Sequence, residues 1–272
     1  VECWLVGPAN GGIKGALKHF SAAADKVELK DSARHCKLYT GLLQPRPAPD
    51  FWQHFSVNSK TIASLPGVFS HGKLDEGSAL LLDDLNANPV SGKKVLDAGC
   101  GAGVLTVHLM SANRVVTAVD ISATALASCR QTLTDNDGQA EIIASDLLDN
   151  VTGRFHAIIS NPPFLDAAKV RLSPRAGKRS AHVMPAGATL EGWIAACLAL
   201  LMEGGLLIMI HRPDALPEML AAVDGRGGSI GLLPIHPHAG KPAMRILLRV
   251  TKGSRGPLAI APPLVLHAAG RF

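Results

Sequence analysis

Aromatic residues are scarce in this sequence: three Trp, one Tyr and seven Phe among 272 residues, or 4%. An aromatic-filled core is therefore excluded. The apolar fraction is nevertheless 47%, so the core must come from Leu, Val, Ile and Ala, which suits helices packed on a parallel sheet. Cysteine is also sparse. The five residues Cys3, Cys36, Cys100, Cys129 and Cys197 are odd in number and contain no C-x-x-C pair, which argues against a disulfide framework and a zinc site. They fit a reducing, cytoplasmic compartment. Long apolar runs are missing too. The longest, Ile194 to Ile210, is broken by Glu203-Gly204-Gly205, where a helix is expected to stop before a buried strand Leu206–Ile210. No basic head followed by an apolar run marks a secretory leader, and no membrane association is expected. The chain begins with Val1, as expected of a fragment of a longer protein.

What remains is a chain long enough for one large α/β domain and a smaller piece. The net charge is +5 and the isoelectric point about 9.0, a modest excess that favours polyanionic partners. The first 45 residues read as a β-α-β piece: a strand over 3–7, a helix from Asn10-Gly11-Gly12 through Phe20, and a strand over 37–43. The prolines at 45, 47 and 49 point to a linker over 46–58. From residue 59 the pattern is regular. Strands are predicted at 95–97, 115–120, 142–144, 157–160 and 206–210, with a final pair at 230–235 and 245–250. Helices are predicted at 77–85, 103–110, 123–133, 190–201 and 213–223. This alternation predicts a mostly parallel, doubly wound sheet.

Three features at strand ends carry chemistry. Val95-Leu96-Asp97-Ala98-Gly99-Cys100-Gly101-Ala102-Gly103 is a strand running into a glycine turn and a helix, where backbone can approach a ligand closely. Asp120 closes the next strand, where an acid can accept both ribose hydroxyls of a nucleoside. Asp146 closes a third. The strictly alternating Gly99, Gly101 and Gly103 depart from the G-x-G-x-x-G of dinucleotide enzymes. They resemble motif I of class I methyltransferases, with a Rossmann-like fold. That resemblance implies S-adenosylmethionine as cofactor, Asp97 near its ammonium group and Asp146 at its adenine.

Ile158-Ile159-Ser160-Asn161-Pro162-Pro163-Phe164 is the most specific stretch. The two prolines remove backbone donors and fix φ. The Asn161 side-chain oxygen and the Pro162 carbonyl are then two acceptors able to hold both hydrogens of an amine. Phe164 offers a face on which a flipped base can stack. A delocalised base amine is a poor nucleophile, and such acceptors stabilise the charge that develops on it. Because the methyl donor is a sulfonium, neither metal nor strong base is needed. Asn161, Pro162 and Phe164 are the candidate catalytic residues. Lys169, Arg171, Arg175 and Arg179, with Lys178 and His182, follow closely and are candidates for RNA phosphates. A second basic group, Lys241, Arg245, Arg249, Lys252 and Arg255, fits phosphate contact or a solvated face equally.

The motif resembles that of the Asn-Pro-Pro-Tyr/Phe amino-methyltransferases. Residues 1 to 163 resemble the bacterial 16S ribosomal RNA guanine-N2 methyltransferases, in Trp4-Leu-Val-Gly, Asp31-Ser-Ala-Arg-His-Cys, Leu65-Pro-Gly-Val-Phe-Ser, Leu74-Asp-Glu-Gly-Ser and Asp97 through Leu105. That family has a degenerate first domain, of which residues 1–45 would be a remnant. It also has a catalytic second domain, here 59–272, in which Phe69 to Ser78 would close over the cofactor. From Asn161 onward, Ile210-His-Arg-Pro-Asp, Leu233-Pro-Ile-His-Pro-His and Lys252-Gly-Ser-Arg-Gly-Pro-Leu resemble the tRNA-Val adenine-N6 methyltransferases. The join is what a recombinant of two related enzymes would show. The resemblances imply a monomeric RNA methyltransferase acting on guanine N2 of rRNA. The alternatives are adenine N6 of tRNA, glutamine N5 of a protein, or a non-catalytic module that binds cofactor and RNA.

Overall fold

The computed structural model describes residues 1–43, 50–110, 114–163 and 189–267. The chain divides into two compact units, Val1–Asp50 and Phe51–Phe272.

The first unit holds β1 (Glu2–Pro8), α1 (Ile13–Ala23), β2 (Ala24–Ala33) and β3 (Cys36–Leu43). The order is β1-β3-β2 and both pairings are antiparallel. The expected β-α-β piece is thus a β-α-β-β piece. Strand β2 escaped detection because its sequence, Ala-Asp-Lys-Val-Glu-Leu-Lys-Asp-Ser-Ala, lacks apolar alternation, and only Ala24 is buried. Strand β1 is an edge whose Trp4 and Val6 are 67% and 68% exposed.

The second unit opens with a hairpin, β4 (Gln53–Val57) and β5 (Lys60–Ser64). Residues 53–57 lie inside the span read as a linker. Asn58 and Ser59 both have positive φ, 46° and 65°, as a two-residue type I′ turn requires. An Asn-Ser turn lacks the Gly that usually signals it. The free edge of β5 is satisfied by a helix, α4 (Ala123–Thr134). Leu65 N–H donates to Ser128 Oγ at 3.1 Å and Ala63 N–H to Thr132 Oγ1 at 3.0 Å. Asn136, just past the helix, accepts from Thr61 N–H and donates to its carbonyl. Helix steps of four rise about 6 Å, close to the two-residue step of a strand, so alternate backbone amides meet successive turns.

The main sheet runs β13 (Ala259–Ile260), β11 (Gly227–His238), β12 (Arg245–Lys252), β10 (Leu201–His211), β9 (Phe155–Ser160), β6 (Lys94–Ala98), β7 (Val115–Asp120), β8 (Glu141–Ala144), with β14 (Leu264–His267) on β11. Strands β6, β7, β8, β9 and β10 are parallel. Strand β12 is antiparallel to both β10 and β11. Leu96, Ile158, Leu207 and Met209 face one apolar layer, with α5 (Leu190–Leu200) and α6 (Leu216–Val223). Val95, Ala157, Ile159 and Ile208 face the other, with α2 (Glu76–Ala87) and α3 (Val104–Leu109). Burial on both faces explains why these strands read as unbroken apolar runs.

Three details depart from the sequence reading. Helix α5 stops at Leu200, before the glycines, and β10 already pairs with β9 at Leu201. Gly204, at φ +75°, lies in the register shift between Leu201 and Leu206. Short strands β13 (Ala259–Ile260) and β14 (Leu264–His267) extend the sheet beyond the expected final pair.

Thr132→Val keeps the shape but leaves the Ala63 N–H without its acceptor, and should lower stability by about 1–3 kcal/mol in urea titration. Hydrogen exchange should be faster in β1 than in β9; equal protection would contradict the exposed edge.

Candidate active site

The strand order reverses between β6 and β9, whose chain directions are the same, and this is where open α/β sheets form their crevice. The glycine turn sits there. Gly99 and Cys100 N–H both donate to the Val119 carbonyl at 2.8 Å, curling the chain over β7. Gly99, Gly101 and Gly103 have φ of +82°, +53° and +81°. A Cβ on Gly103 would lie 2.8 Å from Cys129 Sγ and 3.2 Å from its Cα, so α3 packs this tightly on α4 only with glycine there. Beside Gly101 the space is open.

Asp120 ties the turn to the next loop. Its Oδ2 accepts from Gly101 N–H at 3.0 Å and its Oδ1 from Ser122 N–H at 2.8 Å. Burial raises its carboxyl above the ordinary value, opposed by these backbone donors. Asp97 is fully buried, and Oδ2 accepts from Thr106 Oγ1 at 2.5 Å. Oδ1 is buried with no partner among the described residues. Burial pushes its carboxyl up to about 7; the Thr106 hydroxyl works against this, and the Asp120 charge adds to it.

Asn161 leaves β9 on the other side of the crevice. Its Nδ2 donates to Asp75 Oδ2 at 2.8 Å and Ser78 Oγ at 3.1 Å. Its Oδ1 is buried and unpartnered among the described residues. The preceding Ser160 is fixed in the core: its Oγ donates to the Ala98 carbonyl at 2.8 Å and accepts from Trp193 Nε1 at 3.1 Å. The ends of β6 and β9 are thereby held together through a side chain.

The structure thus gathers Asp97, Gly99, Gly101, Gly103, Asp120, Asn161 and Pro162 at one sheet edge. Asp146 is exposed on the loop after β8, which is anchored through Ser145 N–H to the Asp120 carbonyl at 3.1 Å. Phe164, Lys169, Arg171, Arg175, Lys178, Arg179 and His182 lie outside the described residues. Cys100 is buried filler against Cys129, its thiol raised by that contact and by burial. In the second basic group, Arg249 pairs with the buried Asp84 at 2.6 Å, and Lys252 donates to the Leu201 carbonyl at 2.8 Å. These two hold the fold together and are not a phosphate surface. Sequence reasoning missed Thr106, Ser160 and Trp193, and gave Asp75 and Ser78 no individual role. Only Asp75 left a signal, as the helix-capping residue three before Ser78.

Asp97 gives a pH signature. Burial lifts its folded pKa to about 7 from the ordinary aspartate value of 3.8, so the folded state holds the proton more tightly. Stability is therefore fully present below about pH 4 and declines as pH rises towards 7, by on the order of 4 kcal/mol. Without cofactor, urea midpoints of the wild type should fall over this interval relative to those of Asp97→Asn; parallel curves would contradict the assignment.

Residues 59–183 match the family model described as the methyltransferase small domain, and residues 1–56 match the methyltransferase small domain N-terminal model. The chain is 47% identical over 170 residues to the ribosomal RNA small subunit methyltransferase C of Alcanivorax borkumensis, covering 61% of this chain and 52% of that one. It is 42% identical over 197 residues to the enzyme of the same name from Pasteurella multocida, covering 68% and 59%. The chain spans about half the length of the curated relatives it matches. Among solved structures, a T. thermophilus 16S rRNA N2 methyltransferase in complex with AdoMet and guanosine superposes with a TM-score of 0.62 at 25% identity, over 92% of this chain and 64% of that one. The fold is therefore that of a Rossmann-like class I methyltransferase, with residues 59–183 similar to the methyltransferase small domain.

Proposed function

We propose that this protein transfers a methyl group from S-adenosylmethionine to an exocyclic amine of a base in RNA, with guanine N2 of 16S rRNA as the target. The observation that carries this reading is the buried Oδ1 of Asn161 beside the glycine turn, which has no partner among the described residues. A buried acceptor left open costs stability unless a ligand completes it. The cofactor fits the opposite side of the same crevice. Asp97 Oδ1 is an open buried acceptor suited to an ammonium group, the turn at Gly101 has room, and Asp120 stands at the strand tip for ribose hydroxyls. Asp146 would meet the adenine. When bound, the cofactor supplies an electrophilic methyl on a sulfonium.

The rest falls to the chain. Asn161 Oδ1 and the Pro162 carbonyl would accept the two amine hydrogens and stabilise the positive charge as the new C–N bond forms. Phe164 would hold the base by stacking, and Lys169, Arg171, Arg175 and Arg179 would grip flanking phosphates. The methyl's bond to sulfur would break as the C–N bond forms, leaving S-adenosylhomocysteine, and the methylated amine would lose its extra proton to water afterwards, so alignment of amine and methyl carries much of the rate. The protein would work as a monomer. The named activity of the curated relatives, and the guanosine held by the T. thermophilus enzyme, support guanine over adenine. The stretches at 210–214 and 233–238 that resemble adenine-N6 enzymes favour the second reading. Among the described residues, no helix is long and apolar enough to cross a membrane.

Tritium transfer from labelled S-adenosylmethionine into total bacterial RNA, followed by nucleoside analysis, tests the reading. Label in N2-methylguanosine is expected, reduced about 10²–10³-fold by Asn161→Ala. Label in N6-methyladenosine would move the target to the second family. Label in protein alone would discard an RNA substrate.

A further inference from the structure

We infer that Asp75 is a positioning residue: it fixes the side-chain amide of Asn161 so that oxygen, and not nitrogen, meets the substrate amine. Its kinetic consequence rests on the function proposed above. An asparagine amide has nearly the same shape after a half-turn that exchanges its oxygen and nitrogen, so its neighbours decide which atom points where. At this site the difference is decisive. An oxygen accepts from an amine, whereas an NH₂ group would meet it donor to donor.

The neighbours are on one turn, Asp75-Glu76-Gly77-Ser78, at the start of α2. Asp75 Oδ2 lies 2.8 Å from Asn161 Nδ2, and Ser78 Oγ lies 3.1 Å from the same atom. Turning the amide over would set its oxygen against the Asp75 carboxylate, replacing an attraction by a repulsion. The carboxylate is itself held, because the same Oδ2 accepts from Ser78 N–H at 3.0 Å as the helix cap. The amide reaches the turn only because residue 77 has no side chain. A Cβ there would stand 3.0 Å from Asp75 Oδ2 and 3.1 Å from both Nδ2 and Oδ1 of Asn161. Cap, glycine and serine thus form a socket for one end of an amide whose other end has no partner among the described residues. Asn161 lies 86 residues away in sequence, so the socket is made only by the fold.

A plain capping role is the rival, and three variants separate the two. Asp75→Ser keeps a good cap and removes the charged acceptor. Ser78→Ala removes the second acceptor alone, and Asn161→Ala removes the amide. For Asp75→Ser we expect kcat to fall about 10- to 100-fold, with the cofactor Kd and the RNA KM within about twofold of wild type. The smaller loss in Ser78→Ala should be of the same kind. Added to Asn161→Ala, Asp75→Ser should cost nothing more, since the amide it orients is gone. An unchanged kcat in Asp75→Ser, or a loss that multiplies that of Asn161→Ala, would overturn the inference. A second readout needs no activity. In ¹⁵N-labelled protein one Asn161 side-chain amide proton should exchange slowly, and Asp75→Ser should abolish that protection; protection left intact would also overturn it. A wild type that methylates no RNA would defeat the proposed function while leaving this amide measurement to decide on Asp75.

Discussion

The register of β6 between its two parallel neighbours is the constraint on which the rest depends. Ala98 pairs with Val119 on one side and with Ser160 on the other. The next residue along each strand is Gly99, Asp120 or Asn161, so all three leave the sheet at one level. A slip of one residue would turn every side chain of a strand to the opposite layer. Here it would carry Leu96 and Ile158 out of one apolar layer and Asp97 out of its contact with Thr106. The register is therefore specified by burial on both faces, and the site inherits its alignment from the packing of the core. Ser160 reinforces the same alignment by bonding to the Ala98 carbonyl, with the Trp193 indole behind it.

Among the described residues, two acceptors at this edge have no partner: Asp97 Oδ1 and Asn161 Oδ1. Each is an expense in the free protein, about 1–3 kcal/mol for a buried polar atom and more for a carboxylate. Both groups are nevertheless held in place by their second atom, through Thr106 in one case and Asp75 with Ser78 in the other. Buried groups held at one atom and unsatisfied at the other are suited to a ligand that completes them. Asp120 is organised differently. Both its oxygens already accept backbone N–H groups, so it shapes the glycine turn whether or not a ligand is present. Preorganisation of this kind removes a cost that binding would otherwise carry.

Much of the architecture was legible in the sequence, and what was not shares a physical cause. The central strands β6, β7 and β9 are short, apolar and bounded by glycine, aspartate or proline, so their pattern is strong. The edge strand β2 and the hairpin β4–β5 are polar, stabilised by backbone pairing rather than by an apolar face. Ser128, Thr132 and Asn136 at helical spacing suggest a solvated stripe. Instead, Ser128 and Thr132 are completely buried, because β5 supplies partners for them. The same limit applies at the site. Asp97, the glycines and Asn161 announce themselves by local motif, whereas Thr106, Trp193 and the Asp75 socket acquire meaning only through contacts that the fold creates.

The division of labour around Asn161 bears on the two resemblances that meet there. The groups that hold its amide, Asp75 and Ser78, precede it by more than eighty residues and belong with the glycine turn and both acids. The part of the chain after it contributes Trp193, which acts one residue earlier, on Ser160. Under the proposed function, both acceptors for the amine, Asn161 Oδ1 and the Pro162 carbonyl, would lie in the stretch up to Pro163, whichever ring bears the amine, while Phe164 just beyond would hold that ring. Discrimination between guanine and adenine needs groups that reach the ring edge, where guanine and adenine differ in their donors and acceptors. On the proposed reading, with Asn161 held from the N-terminal side, exchange of the segment beyond Phe164 would alter the choice of base while leaving the amine acceptors in place.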